Sequence, residues 1–185
     1  MRLARLAAVH LLVWLVAFSL FAATDSWSAL TGLGLAALLS VITGILAGLA
    51  TTTLVHEWFH LLGARYCGAR YDIPASAGLF VYDWDFTANS PRQFLVMSVA
   101  GSIGGALAVV LLWLSLPTDT AGRAAVLAAA ISSFAFAAAI EWPVLLRTRS
   151  GGDPLAELSK TDKGVLTRSF LIGSAVGLVS FVLVY

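Results

Sequence analysis

The chain has 185 residues, 59% of them hydrophobic and 11% charged, a balance that excludes an ordinary soluble domain and is typical of a protein crossing the bilayer several times. A formal net charge of +1, with no gathered basic patch, gives no reason to expect nucleic acid as a partner. The single cysteine, Cys67, excludes an internal disulfide and a multi-thiolate structural zinc site, and it reads as a small core residue.

Crossing the hydrocarbon takes about 20 apolar residues, and charge-free runs predict five spans. The first, residues 6–23, follows a basic start but is too long for the apolar core of a secretory signal. Its His10 has no acid or second histidine nearby in sequence and reads as a packed or snorkelling side chain. The second, residues 28–55, is long enough to tilt or break, and it runs directly into "HEWFH", His56 to His60. Residues four apart on an α-helix lie on one face, so His56 and His60 converge. Two neutral imidazoles at that spacing can hold one Zn²⁺, with Glu57 placed as general base toward water. Ionisable groups within spans cost about 2.5–3.5 kcal/mol each on insertion scales and mark pathways or active sites, which gives this short motif its weight.

The stretch from about residue 64 to residue 91 predicts a short hairpin or re-entrant loop, with Gly, Pro and Ser punctuation before "FVYDWDF". A strand there sets Asp83 and Asp85 on one face and Phe80, Tyr82, Trp84 and Phe86 on the other. The third span, residues 94–116, carries Gly101, Ser102, Gly104 and Gly105, small residues suited to close helix packing. The fourth, residues 124–146, contains Glu141, whose carboxylate either serves a site or pairs with Arg147. Asp153 follows in "SGGDPL", which is also strong turn chemistry. The fifth span covers residues 169–185 with a lead-in from 165. No repeat or long linker divides the chain, so residues 1–185 read as one membrane-embedded domain of all-α, polytopic class.

With the N-terminus in the cytoplasm, ten of the eleven basic residues are cytoplasmic and only Arg123 faces out, as the positive-inside bias requires. The expected setting is a bacterial inner membrane, with His56, Glu57, His60, Glu141 and Asp153 all toward the cytoplasmic side. A catalytic zinc takes three protein ligands and keeps one open position, so a third ligand must come from Asp153 or Glu141.

In this order and orientation the motifs resemble those of the intramembrane zinc metalloproteases of the site-2 protease type, over roughly residues 39–155. "HEWFH" stands for that family's metal helix, and "SVAGSIGGALAVVLLW" resembles its small-residue span, with Ser102 where the family has proline. "SGGDP" resembles its Asp-Gly motif in altered order, and "EWP", Glu141 to Pro143, echoes the Asn-x-x-Pro element that precedes it. The resemblance implies a core with extra helices at 6–23 and 165–185, zinc held by His56, His60 and Asp153, and Glu57 as catalytic base. It also implies cleavage of another protein's transmembrane segment; because a helix hides its carbonyls in hydrogen bonds, that segment is expected in extended form, paired to an edge strand between Tyr71 and Phe86. Two alternatives stand beside it: a Glu-ligand membrane metalloprotease that uses Glu141, and a non-catalytic pseudoprotease or metal-binding membrane protein.

Overall fold

A computed structural model describes residues 1–76 and 78–185. Its helices are α1 (Arg2–Thr31), α2 (Gly34–Tyr66), α3 (Pro91–Ser115), α4 (Ala121–Arg149), the short α5 (Pro154–Leu158) and α6 (Lys163–Val184). Strands β1 (Tyr71–Asp72) and β2 (Asp83–Trp84) form a two-stranded antiparallel hairpin between α2 and α3. Five helices are long and apolar enough to cross a membrane, and large apolar side chains such as Leu12, Leu20, Leu38, Ile103 and Leu178 point outward from the bundle. A soluble protein would bury most of such a set, and lipid is the solvent that accepts them. The chain is an all-α, multi-pass membrane protein.

The predicted second span began at Ser28, but the chain turns inside it. Gly32 takes φ 64° and returns its N–H to the Ser28 carbonyl, closing α1 in a left-handed cap before α2 starts at Gly34. No charge marks this turn, so a search for charge-free runs passes through it. Beyond the turn, α2 is unbroken for 33 residues, about 50 Å at the helical rise, more than the ~30 Å hydrocarbon core. It therefore carries the pentad as one continuous helix. The other ends have ordinary stops and starts: Ser90 and Gln93 form a reciprocal capping box at α3, and Thr120 and Asp162 cap α4 and α6.

α2 and α4 are the central pair, running parallel; α1 and α3 pack antiparallel on α2, and α6 lies against α4. The α2–α4 contact is close because glycines face backbone: a Cβ on Gly44 would strike Gly122, and one on Gly48 would strike the Val126 carbonyl. Thr53 and Ser133 share a hydrogen bond of 3.0 Å farther along the same seam. These contacts fix the register of the two helices, and that register decides what stands opposite the pentad.

The two ends of the bundle differ. At one, buried Asp25 accepts from Arg123 (2.9 Å), Thr120 (2.8 Å) and Ser40 (3.1 Å), joining α1, α2 and the start of α4. At the other lie the hairpin, α5, the start of α1 and ten of the eleven basic residues. Here Leu6 of α1, Leu61 of α2 and Val81 of the hairpin segment form a small buried cluster. His10, expected as a packed or snorkelling side chain, is buried and packed, with both ring nitrogens engaged. Its Nε2 donates to the Gly78 carbonyl (2.8 Å) and its Nδ1 accepts from Trp58 Nε1 (3.1 Å).

Candidate metal centre

His56, Glu57 and His60 lie on the inward face of α2, with 5%, 8% and 7% of their surfaces exposed. The two intervening residues of the pentad point elsewhere, Trp58 to His10 on α1 and Phe59 to Gly104 on α3. Helical spacing thus separates three chemical side chains from two structural ones. The slot for the imidazoles is cut by glycine: a Cβ on Gly101 would occupy the place of the His60 ring, and Gly105 stands against His56 and Phe134. The small residues of α3, read from sequence as packing alone, are what lets two imidazoles fit between α2 and α3.

Opposite them, α4 delivers Glu141. Its Oε1 is 2.8 Å from His56 Nε2 and 3.3 Å from His60 Nε2, and the two imidazole nitrogens are 2.9 Å apart. Three ligand atoms bound to one tetrahedral zinc at about 2.0–2.1 Å lie about 3.3–3.4 Å from one another. The observed triangle is slightly tighter than that and of the same shape. Glu57 stands beside it, with a carboxylate oxygen, a His56 nitrogen and a His60 nitrogen all within 4.8 Å of one another. Glu141 makes the close approach and Glu57 the looser one, which suits the first to coordination and the second to proton transfer.

Protonation logic points the same way. His60 Nδ1 lies 2.9 Å from the Met97 carbonyl, which only accepts, so Nδ1 carries the hydrogen and a neutral His60 presents a lone pair at Nε2. That is the arrangement by which a backbone carbonyl orients a metal-ligating imidazole. The lone pair faces a carboxylate oxygen at 3.3 Å, acceptor against acceptor. A proton on His56 Nε2 aims at one of them; a cation between the three satisfies all. Among the described residues, Glu141 Oε2 and His56 Nδ1 are buried with no hydrogen-bond partner. A buried polar atom left unpaired costs about 1–3 kcal/mol. The donor set of two imidazoles and a carboxylate fits a divalent cation of the zinc type.

Asp153, expected as the third ligand, is elsewhere. It is exposed and caps α5, its Oδ1 accepting from the Ala156 N–H at 2.8 Å. The Gly-Gly-Asp-Pro segment is a turn and helix start, with Gly151 at φ 99° and Pro154 in the first helical turn. Nor does Glu141 pair with Arg147. That guanidinium reaches Glu157 of α5 (2.6 Å), which Lys160 also contacts (2.6 Å), fastening α5 beneath α4. Cys67 stays apart from the cluster, its thiol near the Ala64 and Gln93 carbonyls.

A cavity of about 340 Å³ opens onto Glu57, His60 and Glu141. Phe80, Tyr82, Trp84 and Phe86 line it from the hairpin side, the face that alternation in "FVYDWDF" predicts, while Asp83 is exposed and Asp85 caps the turn at Thr87 and Ala88. Phe94, Met97 and Ser98 of α3, Val144 of α4 and Leu158 of α5 complete the wall. The hairpin is held in place by Asn89, whose side chain pairs with both backbone groups of Arg70 at 2.7 Å, as a neighbouring strand would. Met97, Tyr82 and the ring-contacting glycines carry no ligand pattern in sequence, and their part in the site shows only once the helices are placed.

The chain was compared with protein-family models, with curated proteins and with solved structures, and none matched.

Proposed function

We propose that this chain is a zinc-dependent intramembrane endopeptidase, with the ion held by His56, His60 and Glu141 and with Glu57 as general base. The observation that carries the reading is the convergence of His56 Nε2, His60 Nε2 and Glu141 Oε1 within 2.8–3.3 Å of one another, beside a further buried carboxylate and inside apolar helices. This is the Glu-ligand version of the metalloprotease reading, and it moves the third-ligand role from Asp153 to Glu141.

Zinc bound by these atoms supplies the Lewis acidity that makes water a nucleophile near neutral pH. The protein's own part is proton transfer and exclusion of bulk water. As the water oxygen bonds to the scissile carbonyl carbon, the C=O π pair moves onto oxygen and Glu57 accepts the water's proton. The C–N bond then breaks with its electron pair on nitrogen, and Glu57 returns the proton to the leaving amine. The substrate class is a transmembrane segment of another protein. An intact helix hides its carbonyls in hydrogen bonds, so the segment enters unwound, under the aromatic wall of the hairpin.

The end-to-end contrast in charge supports an orientation in which the basic end, with the hairpin, the site and the N-terminus, faces the cytoplasm, and the reading takes a bacterial inner membrane as the setting.

The test is metal-dependent cleavage. Purified protein in detergent is mixed with a panel of quenched-fluorescence peptides that carry apolar spans, before and after chelation and with zinc restored. The expected result is cutting that chelation abolishes and zinc recovers. Cutting that persists after complete metal removal would sink the reading.

A further inference from the structure

The three ligands and the base leave one requirement of peptide hydrolysis without a residue: a donor for the oxygen that becomes negative as the carbonyl carbon turns tetrahedral. We propose that Tyr82 is that donor, a side chain of the hairpin that lines the cavity shared by Glu57, His60 and Glu141. The proposal rests on the endopeptidase reading above and adds a catalytic residue that the His-Glu-x-x-His pattern does not contain.

Three observations support it. Tyr82 lines the cavity that opens onto the two carboxylates and His60. Its hydroxyl makes no hydrogen bond among the described residues, whereas its neighbour Tyr71 has its hydroxyl taken by Arg65 Nε at 2.9 Å. Its ring is bracketed edge-on by Tyr71 (centroids 6.0 Å, 76°) and Trp84 (6.4 Å, 71°), and it packs against both the Leu6–Leu61–Val81 cluster and the Ala64–Phe94–Met97–Val144 cluster. A ring gripped from both sides with an uncommitted hydroxyl is preorganised to donate.

The proton is secure. Burial pushes the Tyr82 phenol well above its ordinary value, and the negative charges of Glu57 and Glu141 push it the same way. Tyr82 therefore stays protonated as a donor and does not compete with Glu57 as a base. Trp84 also carries a donor on this wall, but it sits farther along the strand in edge contact with Phe94, at 6.2 Å.

The step balances within the chain and substrate. The carbonyl π pair moves onto oxygen, the Tyr82 hydrogen bond to that oxygen strengthens without transferring its proton, and the bond relaxes when the C–N bond breaks and the carbonyl re-forms. An interaction stronger in the transition state than in the ground state changes kcat and leaves KM alone.

The experiment compares wild type, Tyr82→Phe and Trp84→Phe in zinc content, in kcat and KM on the fastest-cut peptide of the panel, and in affinity for a phosphinic analogue of that peptide, whose tetrahedral oxyanion imitates the reacting carbon. Tyr82→Phe keeps the ring and is expected to retain zinc and KM. It should lose about 10²–10³-fold in kcat and a comparable factor in phosphinate affinity, with Trp84→Phe near wild type. Full kcat in Tyr82→Phe with zinc retained overturns the assignment and leaves the metalloprotease reading intact, as does a loss confined to Trp84→Phe. A wild-type protein that binds no zinc or cuts no peptide overturns both.

Discussion

Glu141→Ala is expected to strip the metal from the purified protein, from about one ion per chain to near none, while Asp153→Ala keeps it. The contrast is informative because the two acids are only a short stretch of chain apart and both are plausible ligands by residue type. Glu141 Oε1 touches both histidine nitrogens, at 2.8 and 3.3 Å, whereas Asp153 is an exposed helix cap. Losing the cap should cost about 0.5–2 kcal/mol locally at α5 without reaching the site. Metal analysis of the two variants side by side decides the matter. Retention in Glu141→Ala with loss in Asp153→Ala would return the third-ligand role to the turn.

The second large effect is expected at Glu57. Glu57→Gln preserves shape and hydrogen-bonding capacity but cannot accept a proton from water, so metal content should stay at the wild-type level while kcat falls about 10²–10⁴-fold, or roughly 2.7–5.5 kcal/mol of barrier. Steady-state cleavage with zinc measured on the same preparations provides the check. Equal rates for wild type and Glu57→Gln would remove Glu57 from the mechanism. Loss of metal along with the rate would make it a ligand instead of a base.

The difference between these two carboxylates also shows what the sequence could disclose. The pentad was legible because its geometry is local: one helix and a spacing of four suffice to place His56, Glu57 and His60 on a common face. The hairpin aromatics were legible for the same reason, since alternation alone puts Phe80, Tyr82, Trp84 and Phe86 on one side. The third ligand was not local. Whether α4 offers Glu141 to the histidines depends on its register against α2, and Gly44 and Gly48 meeting Gly122 and Val126 set that register many residues away. Asp153 drew the ligand role through the resemblance of "SGGDP" to an Asp-Gly motif. The turn chemistry of that segment is what commits its carboxylate to the Ala156 N–H. At Gly32 the failure was of another kind: the α1–α2 turn carries no charge, and only its left-handed backbone distinguishes it from the spans it joins.

Two packing features also shape the site. The glycines of α3 are the space in which His60 and His56 stand, so the width of the α2–α3 seam and the position of the ligands are one property. His10 ties the loop between β1 and β2 to α1 through the Gly78 carbonyl, and to the pentad's own Trp58, so the wall over the cavity is anchored to the first helix as well as to α3. Elements α1 to α5 together hold the site.

Two imidazoles and one carboxylate from α2 and α4 are proposed to bind a single zinc, and zinc-edge X-ray absorption on the wild-type protein reads that coordination. One zinc per chain is expected, with two imidazole nitrogens and oxygen ligands at about 2.0–2.2 Å and no sulfur. A protein that binds no zinc, or a zinc with a thiolate ligand at about 2.3 Å, which only Cys67 could supply, would contradict it.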